Sequence, residues 1–422
     1  MRNIYKSSLM LLASLMLVGN VVLAQNGVID NMRSNDKDGL NVFEPAKDLD
    51  AKFDGVKVRI GGDFALQFQG LNQSNAEDSL VQLGNNLNLP TANLNIDVQL
   101  YDGVRMHLTS YLSARHHEES WVKGGYVKFD KLDFIKEGLF ENIMQFTYIK
   151  VGLDEINYGD AHFRRTDNAR AIYNPFVGNY LMDAFTTEAF GEVVVQTDKG
   201  FIGVVGVSNG KLNQNVTVTS ATDNKLSFYG KVGVDRQLND DLRMRLTGSW
   251  YTNHGSSTGA YLYGGDRGGS RYYYVLHDLT DGGSDFEGRF NPRFSQNTSF
   301  QINPFIKYKG LEFFGIYEVS SNSEEEANGS YTQLAGELLY RFGGQEQFYL
   351  GGRYNAVSGE DVENGATKEV NRVNIGGGWF LTKNIVTKFE YVNQQYKGEG
   401  WTGTKYEGAE FKGVMIEAAI SF

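Results

Sequence analysis

Residues 56–69 read VKVRIGGDFALQFQ. Apolar side chains alternate from Val56 to Phe68, and polar or charged side chains such as Lys57 and Arg59 stand between them. Because successive side chains of a β-strand point to opposite faces, this pattern predicts a strand with one apolar face and one charged face. The number of times this pattern recurs along the chain then predicts the number of strands and the kind of sheet.

The same alternation returns along the chain in segments of roughly 9 to 12 residues. Strands of globular domains usually have about 5–6 residues, whereas crossing a bilayer takes about 9–11. The segments therefore predict an all-β protein, a transmembrane antiparallel β-barrel of about sixteen strands. They lie near 56–70, 91–101, 104–115, 121–130, 144–152, 189–197, 201–209, 226–235, 242–252, 298–308, 311–320, 331–342, 347–357, 370–380, 385–393 and 411–422.

Short and long connections nearly alternate between these segments. Short periplasmic turns and long outer loops are typical of outer-membrane barrels, and an even strand number places both termini on the periplasmic side. The short links are 102–103, 198–200, 309–310, 343–344 and 382–383. The long connections are 71–90, 153–188, 210–225, 253–297, 358–369 and 394–410.

Two places in the sequence leave the number or the regularity of the strands undecided. The stretch 253–297 is long enough to hold two more strands, with Arg271 to Leu276 as one candidate, so an eighteen-stranded barrel remains an alternative. Pro304 lies inside an otherwise regular strand, where it removes one hydrogen bond of the ladder, so we expect a β-bulge there.

Composition excludes several classes of protein. The 422-residue chain has a mean hydropathy of −0.38, and beyond the N-terminus no apolar run approaches the roughly 20 residues of a membrane helix. Its lack of cysteine excludes disulfide scaffolds, thiol catalysis and cysteine-based metal sites. With 40 basic and 51 acidic residues the formal charge is 40 − 51 = −11, so no basic footprint for nucleic acid is present.

The N-terminus reads as a secretory signal peptide over residues 1–24. Arg2 and Lys6 precede an apolar stretch, and a small residue, Ala24, marks the cleavage site. Residues 25–52 are polar without a clear period and are expected to form a mobile lead into the barrel, which would occupy 53–422.

The last strand alternates from Val414 onward and ends on Phe422. A terminal aromatic residue resembles the C-terminal signature that the barrel-assembly machinery recognises in Gram-negative outer-membrane proteins. With residues 158–168 (YGDAHFRRTDN) and 174–176 (NPF), the chain resembles outer-membrane porins, specifically the porin O/P-like barrels of the Bacteroidota.

This resemblance implies an outer-membrane barrel in contact with lipid, passive diffusion of small hydrophilic solutes, no cofactor and a homotrimeric assembly. It also implies that the third long loop folds into the lumen and narrows it. The predicted pore constriction consists of Asp154, Glu155, Asp160, Arg164, Arg165, Asp167 and Arg170.

The polar faces of the strands supply the predicted lumen wall, which carries slightly more basic than acidic side chains. Its basic members are Lys57, Arg59, Arg105, Arg115, Lys231, Arg243, Arg245, Lys307, Arg341, Arg353, Arg372 and Lys388. A weak anion preference follows if the loop arginines line the constriction. The alternative is that these arginines pair with the loop's own carboxylates and only brace the loop.

Other functions find little support in the residues. Adjacent side chains of the run His116 to Glu119 point apart on a strand, so no metal site is expected there. The six histidines stand in no nucleophile motif, and no enzymatic activity is expected. The second hypothesis is a structural or secretion-associated barrel that binds a partner through long loops such as the Tyr- and Gly-rich 253–297. An open lumen would favour the porin, whereas loops or the N-terminal lead filling the bore would favour the plugged barrel.

Overall fold

The computed structural model describes residues 29–88, 91–113, 120–210, 225–254, 261–265, 268–324 and 327–422. The expected signal peptide (1–24), Arg115 and the run from His116 to Glu119 lie outside these residues.

The described residues form one antiparallel sheet that closes on itself. Its strands are β1 (Lys57–Ser74), β2 (Asn86–Leu87), β3 (Thr91–Tyr101), β4 (Val104–Ser113), β5 (Ser120–Phe129), β6 (Thr147–Glu155), β7 (Thr187–Gln196), β8 (Phe201–Ser208), β9 (Ser227–Gln237), β10 (Leu242–Asn253), β11 (Asn297–Tyr308), β12 (Leu311–Asn322), β13 (Asn328–Phe342), β14 (Phe348–Val362), β15 (Lys368–Thr382), β16 (Ile385–Lys397) and β17 (Glu410–Ser421). Each long strand pairs with the next in the chain, and β17 pairs with β1.

The short strand β2 adds no position to the barrel. It pairs with β1 at Phe68 and Gln69, on the same edge where β3 pairs with β1 from Ala65 downward. The barrel therefore has sixteen positions, 17 strands less the one that shares a ladder, and the predicted sixteen strands are confirmed.

The eighteen-strand alternative is wrong for the described residues. Between β10 and β11 these residues make turns, isolated bridges and one short 3-10 helix, and no further strand. In the candidate segment, Tyr272, Val275 and Leu276 are fully buried against other residues inside the barrel. A segment with its apolar side chains packed into the lumen cannot also present them to lipid.

The connections distinguish the two ends of the barrel. At the end that carries the start of β1 and Phe422, here called the turn end, the links are 102–103, 130–146, 197–200, 238–241, 309–310, 343–347 and 383–384. At the opposite, loop end they are 75–90, 114–119, 156–186, 209–226, 254–296, 323–327, 363–367 and 398–409. Length does not separate the ends completely, because 130–146 is long and 323–327 is short.

Helical structure is sparse in the described residues. One α-helix, α1 (Glu141–Met144), lies in the link 130–146, and 3-10 turns occupy Lys37–Gly39, Ala161–Phe163, Tyr261–Tyr263 and Glu399–Trp401. No helix in the described part of the chain is long and apolar enough to cross a membrane.

The outer face of the barrel is apolar. Large side chains such as Val205, Leu334 and Ile375 stand more than half exposed on it. Near the turn end, four rings on β13–β15 stack in a row, with centroids 6.1, 5.6 and 5.8 Å apart: Tyr340, Phe342, Phe348 and Trp379. Phe348 is half-buried and the other three are exposed. An apolar band with an aromatic border is what a lipid-facing barrel surface requires.

The bulge expected at Pro304 is absent. The register of β11 with β12 is the same before and after it, since Ile302 faces Tyr317 and Phe305 faces Phe314. Two neighbours explain this. The side-chain amide of Asn303 donates to the Gly315 carbonyl at 3.1 Å, which is the acceptor that the missing proline N–H leaves vacant. Gly315 itself leaves room for the proline ring.

This arrangement predicts the effect of a single methyl group. A Cβ at Gly315 would stand 2.9 Å from Cγ of Pro304, whereas a Cβ at its cross-strand partner Gly336 would have its nearest neighbour at 3.8 Å. Gly315→Ala should lower the free energy of unfolding by about 1–3 kcal/mol, while Gly336→Ala should leave it nearly unchanged. Urea unfolding of the barrel folded in detergent measures both, and equal effects would contradict the explanation.

Candidate functional site

Three chain segments occupy the lumen: part of the N-terminal lead, the third loop (156–186), and the described part of 261–294. The N-terminal lead was expected to be mobile, but the structure packs part of it into the lumen. Phe43 and Glu44 are buried between the lumen wall and the third loop. We call residues 31–48 the N-terminal plug.

The N-terminal plug is a closed loop across the turn end. Its two ends meet where the Asp48 amide donates to Oδ1 of Asn31 at 2.5 Å. In between, the Lys37 amide donates to the Lys383 carbonyl at 2.8 Å, and Asn41 donates to Oε2 of Glu312 at 2.8 Å. These two partners lie on the link after β15 and on β12. At the neck, Asn31 donates to Asp130, directly after β5 on the far side of the barrel, so the loop crosses the lumen.

Phe43 anchors the plug in the lumen. Its ring is 1% exposed and meets the rings of Phe163 and Phe305 edge to face, at 5.7 and 5.3 Å. One ring comes from the third loop and the other from β11. The sequence pattern did not reveal this contact, because a single phenylalanine in a polar stretch has no period.

Asp160 of the third loop is held by two basic residues of the wall. Its carboxylate accepts from Lys231 at 2.8 Å and from Arg245 at 2.7 Å, and Thr247 donates to it at 2.7 Å. Glu44 of the plug lies beside the same cations, 3.2 Å from Lys231 and 2.8 Å from Arg245. A loop and the plug therefore share one cationic site on β9 and β10.

Arg164 is held farther along the same side of the wall, on β12 and β13. Its guanidinium contacts Glu312 and Glu337, both at 2.6 Å, and also Asn41 of the plug. Arg341 and Arg353 flank the same two carboxylates, at 2.9 and 2.6 Å. These partners are wall carboxylates, and neither predicted arrangement of Arg164 included them.

Four of the other predicted constriction residues each have a different partner. Arg165 binds Asp183 of its own loop at 2.7 Å, Asp167 pairs with Lys123 of β5, and Arg170 lies 3.9 Å from Asp63 of β1. At the end of β6, Glu155 accepts from His162 at 3.0 Å, and Asp154 lines the cavity described below. The predicted set is thus not one ring around an opening.

The basic wall residues are largely matched by carboxylates on neighbouring elements. The described pairs are Lys57–Asp54, Arg59–Asp97, Arg105–Asp130, Arg243–Asp235, Lys307–Glu346 and Lys388–Glu417. Arg372 differs, since it donates to carbonyl oxygens of Asn179 and Gly288 and to Gln394. The pairs Arg59–Asp97, Arg243–Asp235 and Lys388–Glu417 join adjacent strands, as the register requires, and pairing of this kind keeps a buried wall close to neutral.

The segment 261–294 is fixed to the wall in the same manner. Tyr272 donates to Glu390 at 2.7 Å, and Glu390 also accepts the amide of Val177 in the third loop at 2.8 Å. Arg271 lies 3.7 Å from Glu417. One wall carboxylate therefore ties two inserted segments together.

A cavity of about 160 Å³ remains between the plug, the third loop and strands β3–β7. Five of the predicted constriction residues line it: Asp154, Glu155, Arg165, Asp167 and Arg170. Asp160 and Arg164 lie instead against β9–β13. Within the described residues no group of three or more His, Cys, Asp or Glu side chains could hold a metal ion.

Comparison with known proteins defines the class of this fold. No protein-family model and no curated protein matches the chain. Among solved structures, OmpT, an outer membrane protein of Vibrio cholerae, aligns with a TM-score of 0.52 and 13% identity over 88% of this chain and 99% of that one. An OmpT structure in trimer form aligns with a TM-score of 0.51.

Two further structures are those of a porin and of a channel. An anion-selective porin from Comamonas acidovorans aligns with a TM-score of 0.52 and 12% identity over 87% of this chain and 100% of that one. The outer membrane channel DcaP of Acinetobacter baumannii aligns with a TM-score of 0.50 and 10% identity over 87% and 98%. The chain thus has the closed sixteen-strand fold of outer-membrane porins.

The shared cationic site makes stability depend on pH. Burial raises the pKa of the Glu44 carboxyl, but the charges of Arg245 and Lys231 outweigh burial and hold this pKa below its ordinary value. The same two cations outweigh burial at Asp160 and lower its pKa too. A carboxyl with a lowered pKa stabilises the fold above its unfolded pKa, about 4, and the contribution disappears as the pH falls through the folded value.

Comparing the wild type with Glu44→Gln tests this. The wild type should be the more stable protein from neutral pH down to about pH 5, and its advantage should shrink as acidification protonates Glu44. Urea unfolding at a series of pH values, followed by near-ultraviolet circular dichroism, gives the difference. If the difference in unfolding free energy between the two proteins stayed constant down to pH 2, the charge of Glu44 would contribute nothing to stability.

Asp160→Asn should destabilise the protein strongly. It leaves Lys231 and Arg245 buried with one carboxylate fewer, and breaking such a pair costs about 3–5 kcal/mol. The matched control is Asp241→Asn, which removes an exposed pair with Lys309 at 3.5 Å and should change little. Urea unfolding measures both variants, and equal effects would refute the role of Asp160.

Proposed function

We propose that this protein is an outer-membrane porin through which small hydrophilic solutes diffuse passively. The fold is that of outer-membrane porins, and the charged cavity beside the plug supports a polar path along β3–β7. Since this cavity is small, the path admits small solutes only. The observation that carries the proposal is that polar and ionic side chains line the unfilled part of a closed barrel.

A weak anion preference goes with this path. The cavity lining has seven basic residues, Arg33, Arg59, Lys123, Lys128, Lys150, Arg165 and Arg170, and six acidic ones, Glu44, Asp97, Asp154, Glu155, Asp167 and Glu192. The excess is 7 − 6 = +1, and a small excess of fixed charge in a narrow passage favours the opposite ion slightly.

The remaining features of the proposal follow from the same fold. The apolar outer face suits a lipid environment, and the exposed ring of Phe422 at the end of β17 suits recognition by the barrel-assembly machinery. A porin O/P-like subtype, a homotrimer, and export through a signal peptide cleaved near Ala24 complete the proposal. The trimer form of the fold-related OmpT supports the homotrimer.

One observation favours a second candidate. The plug, the third loop and the segment 261–294 fill much of the bore, which is the arrangement expected of a plugged structural or secretion-associated barrel. Such a protein would bind a partner through its outer loops and would conduct no ions.

Planar-bilayer recording under a potassium chloride gradient separates the two candidates. If the protein is a porin with a weak anion preference, the recording should show discrete conductance steps. The reversal potential should then be displaced toward the equilibrium potential of chloride. Silence from a folded, inserted barrel would refute passive diffusion and favour the plugged barrel.

The same recording tests the origin of the anion preference. Arg170 is 23% exposed and lines the cavity, whereas Lys309 is 60% exposed on the β11–β12 turn outside it. Arg170→Gln should lower the chloride-to-potassium permeability ratio roughly 1.5- to 2-fold. Lys309→Gln, which removes the same charge, should leave the ratio unchanged. An unchanged ratio in Arg170→Gln would assign the preference to other residues.

A further inference from the structure

The N-terminal plug is inserted as one loop from one end of the barrel. Asn31 and Asp48 meet at its neck, and the chain then runs to the start of β1 at the same turn end. The loop can therefore withdraw as a unit, without threading past the third loop or the segment 261–294. This separates it from those two segments, whose ends both join strands at the loop end.

Withdrawal would uncover more space and a cationic site. Seven plug residues line the cavity beside β3–β7: Asn31, Met32, Arg33, Asn35, Phe43, Glu44 and Pro45. Withdrawal would therefore enlarge the cavity toward the turn end. It would also remove Glu44 from Lys231 and Arg245.

The site left behind has an unbalanced charge. Asp160 stays in contact with both cations because the third loop carries it. Asp235 also contacts Arg245, at 3.3 Å, but it is shared with Arg243 at 2.6 Å. Without Glu44, three cationic side chains would therefore face two carboxylates, and Lys231 and Arg245 are each no more than 2% exposed in the plugged form. An uncompensated buried cation is strongly unfavourable, and a carboxylate that replaces Glu44 restores the balance. Lys231 donates a hydrogen bond to Glu44 at 3.2 Å and Arg245 forms an ion pair with it at 2.8 Å, and both cations can bind a carboxylate from a solute in its place.

We propose that the N-terminal plug is an exchangeable gate whose Glu44 occupies a binding site for carboxylate solutes formed by Lys231 and Arg245. Binding of a solute carboxylate releases Glu44 and, with it, the plug, which opens the turn end of the lumen. This inference rests on the proposed porin function for its physiological meaning. The exchange itself is a property of the folded chain and is measured separately.

The exchange is tested first by a distance measurement that needs no conduction. The chain has no cysteine, so Asp38→Cys with Lys309→Cys places two spin labels at exposed positions, one on the plug and one on the β11–β12 turn. Double electron–electron resonance in lipid vesicles should give a main narrow distance and a minor longer one. Glutarate should raise the longer population, and chloride at equal ionic strength should not.

A charge variant checks that Glu44 is the competing group. Glu44→Gln in the labelled protein should raise the longer population without glutarate, because the amide binds the two cations less strongly than the carboxylate. Asp50→Asn removes the same charge from an exposed position of the same lead and should have no effect. One narrow distance, unaffected by glutarate and by Glu44→Gln, would overturn the proposal.

Conductance then tests whether the plug acts as a gate. The backbones of Lys37 and Lys383 are hydrogen-bonded, so a disulfide between Lys37→Cys and Lys383→Cys should hold the plug in place. Reduction should raise the conductance severalfold, whereas Lys37→Cys alone should not respond to the reductant. Conduction that is equal in the oxidised and reduced forms would overturn the gate and leave the porin intact. Glutarate-dependent separation of the labels in a protein that never conducts would support the exchange and refute the porin.

Discussion

Closure of the sheet on itself is the constraint on which the other features depend. A closed antiparallel barrel satisfies its backbone hydrogen bonds internally, and its alternating side chains divide into an apolar outer face and a polar inner one. The inner face then brings many charges into a confined space, where each must find a partner. The paired wall residues, and the loops that bring carboxylates and carbonyl groups to them, answer this requirement.

The cationic pair on β9 and β10 shows how this requirement shapes function. Lys231 and Arg245 bind Asp160 from the third loop and Glu44 from the plug at once. The same contacts fix the loop, close the turn end and leave a carboxylate position that a separate segment fills. Under the proposed gating, structural bracing and control of the passage would come from one set of residues, and the two predicted roles of the loop residues would not be mutually exclusive.

Local pattern was enough to predict some features and not others. Strand number and the apolar outer face depend on the period and spacing of the side chains, which are visible in the sequence. The folded-in position of the third loop was implied by the resemblance to porins. The bulge at Pro304 failed as a prediction because Asn303 supplies the missing donor and Gly315 the space, and both are effects of register. The plug was missed because Phe43 and Glu44 stand in a stretch with no period, and only their distant partners make them structural.

By itself the sequence determined that this chain forms a barrel, since an alternation of two residues repeated over long segments has one apolar and one polar face wherever it folds. It also predicted which charges face inward. Only the tertiary structure decided which charges meet, because partners such as Arg164 and Glu337 lie far apart in the chain and are joined by the register and by loop insertion. For the same reason, the cavity beside the plug could not be found in the sequence.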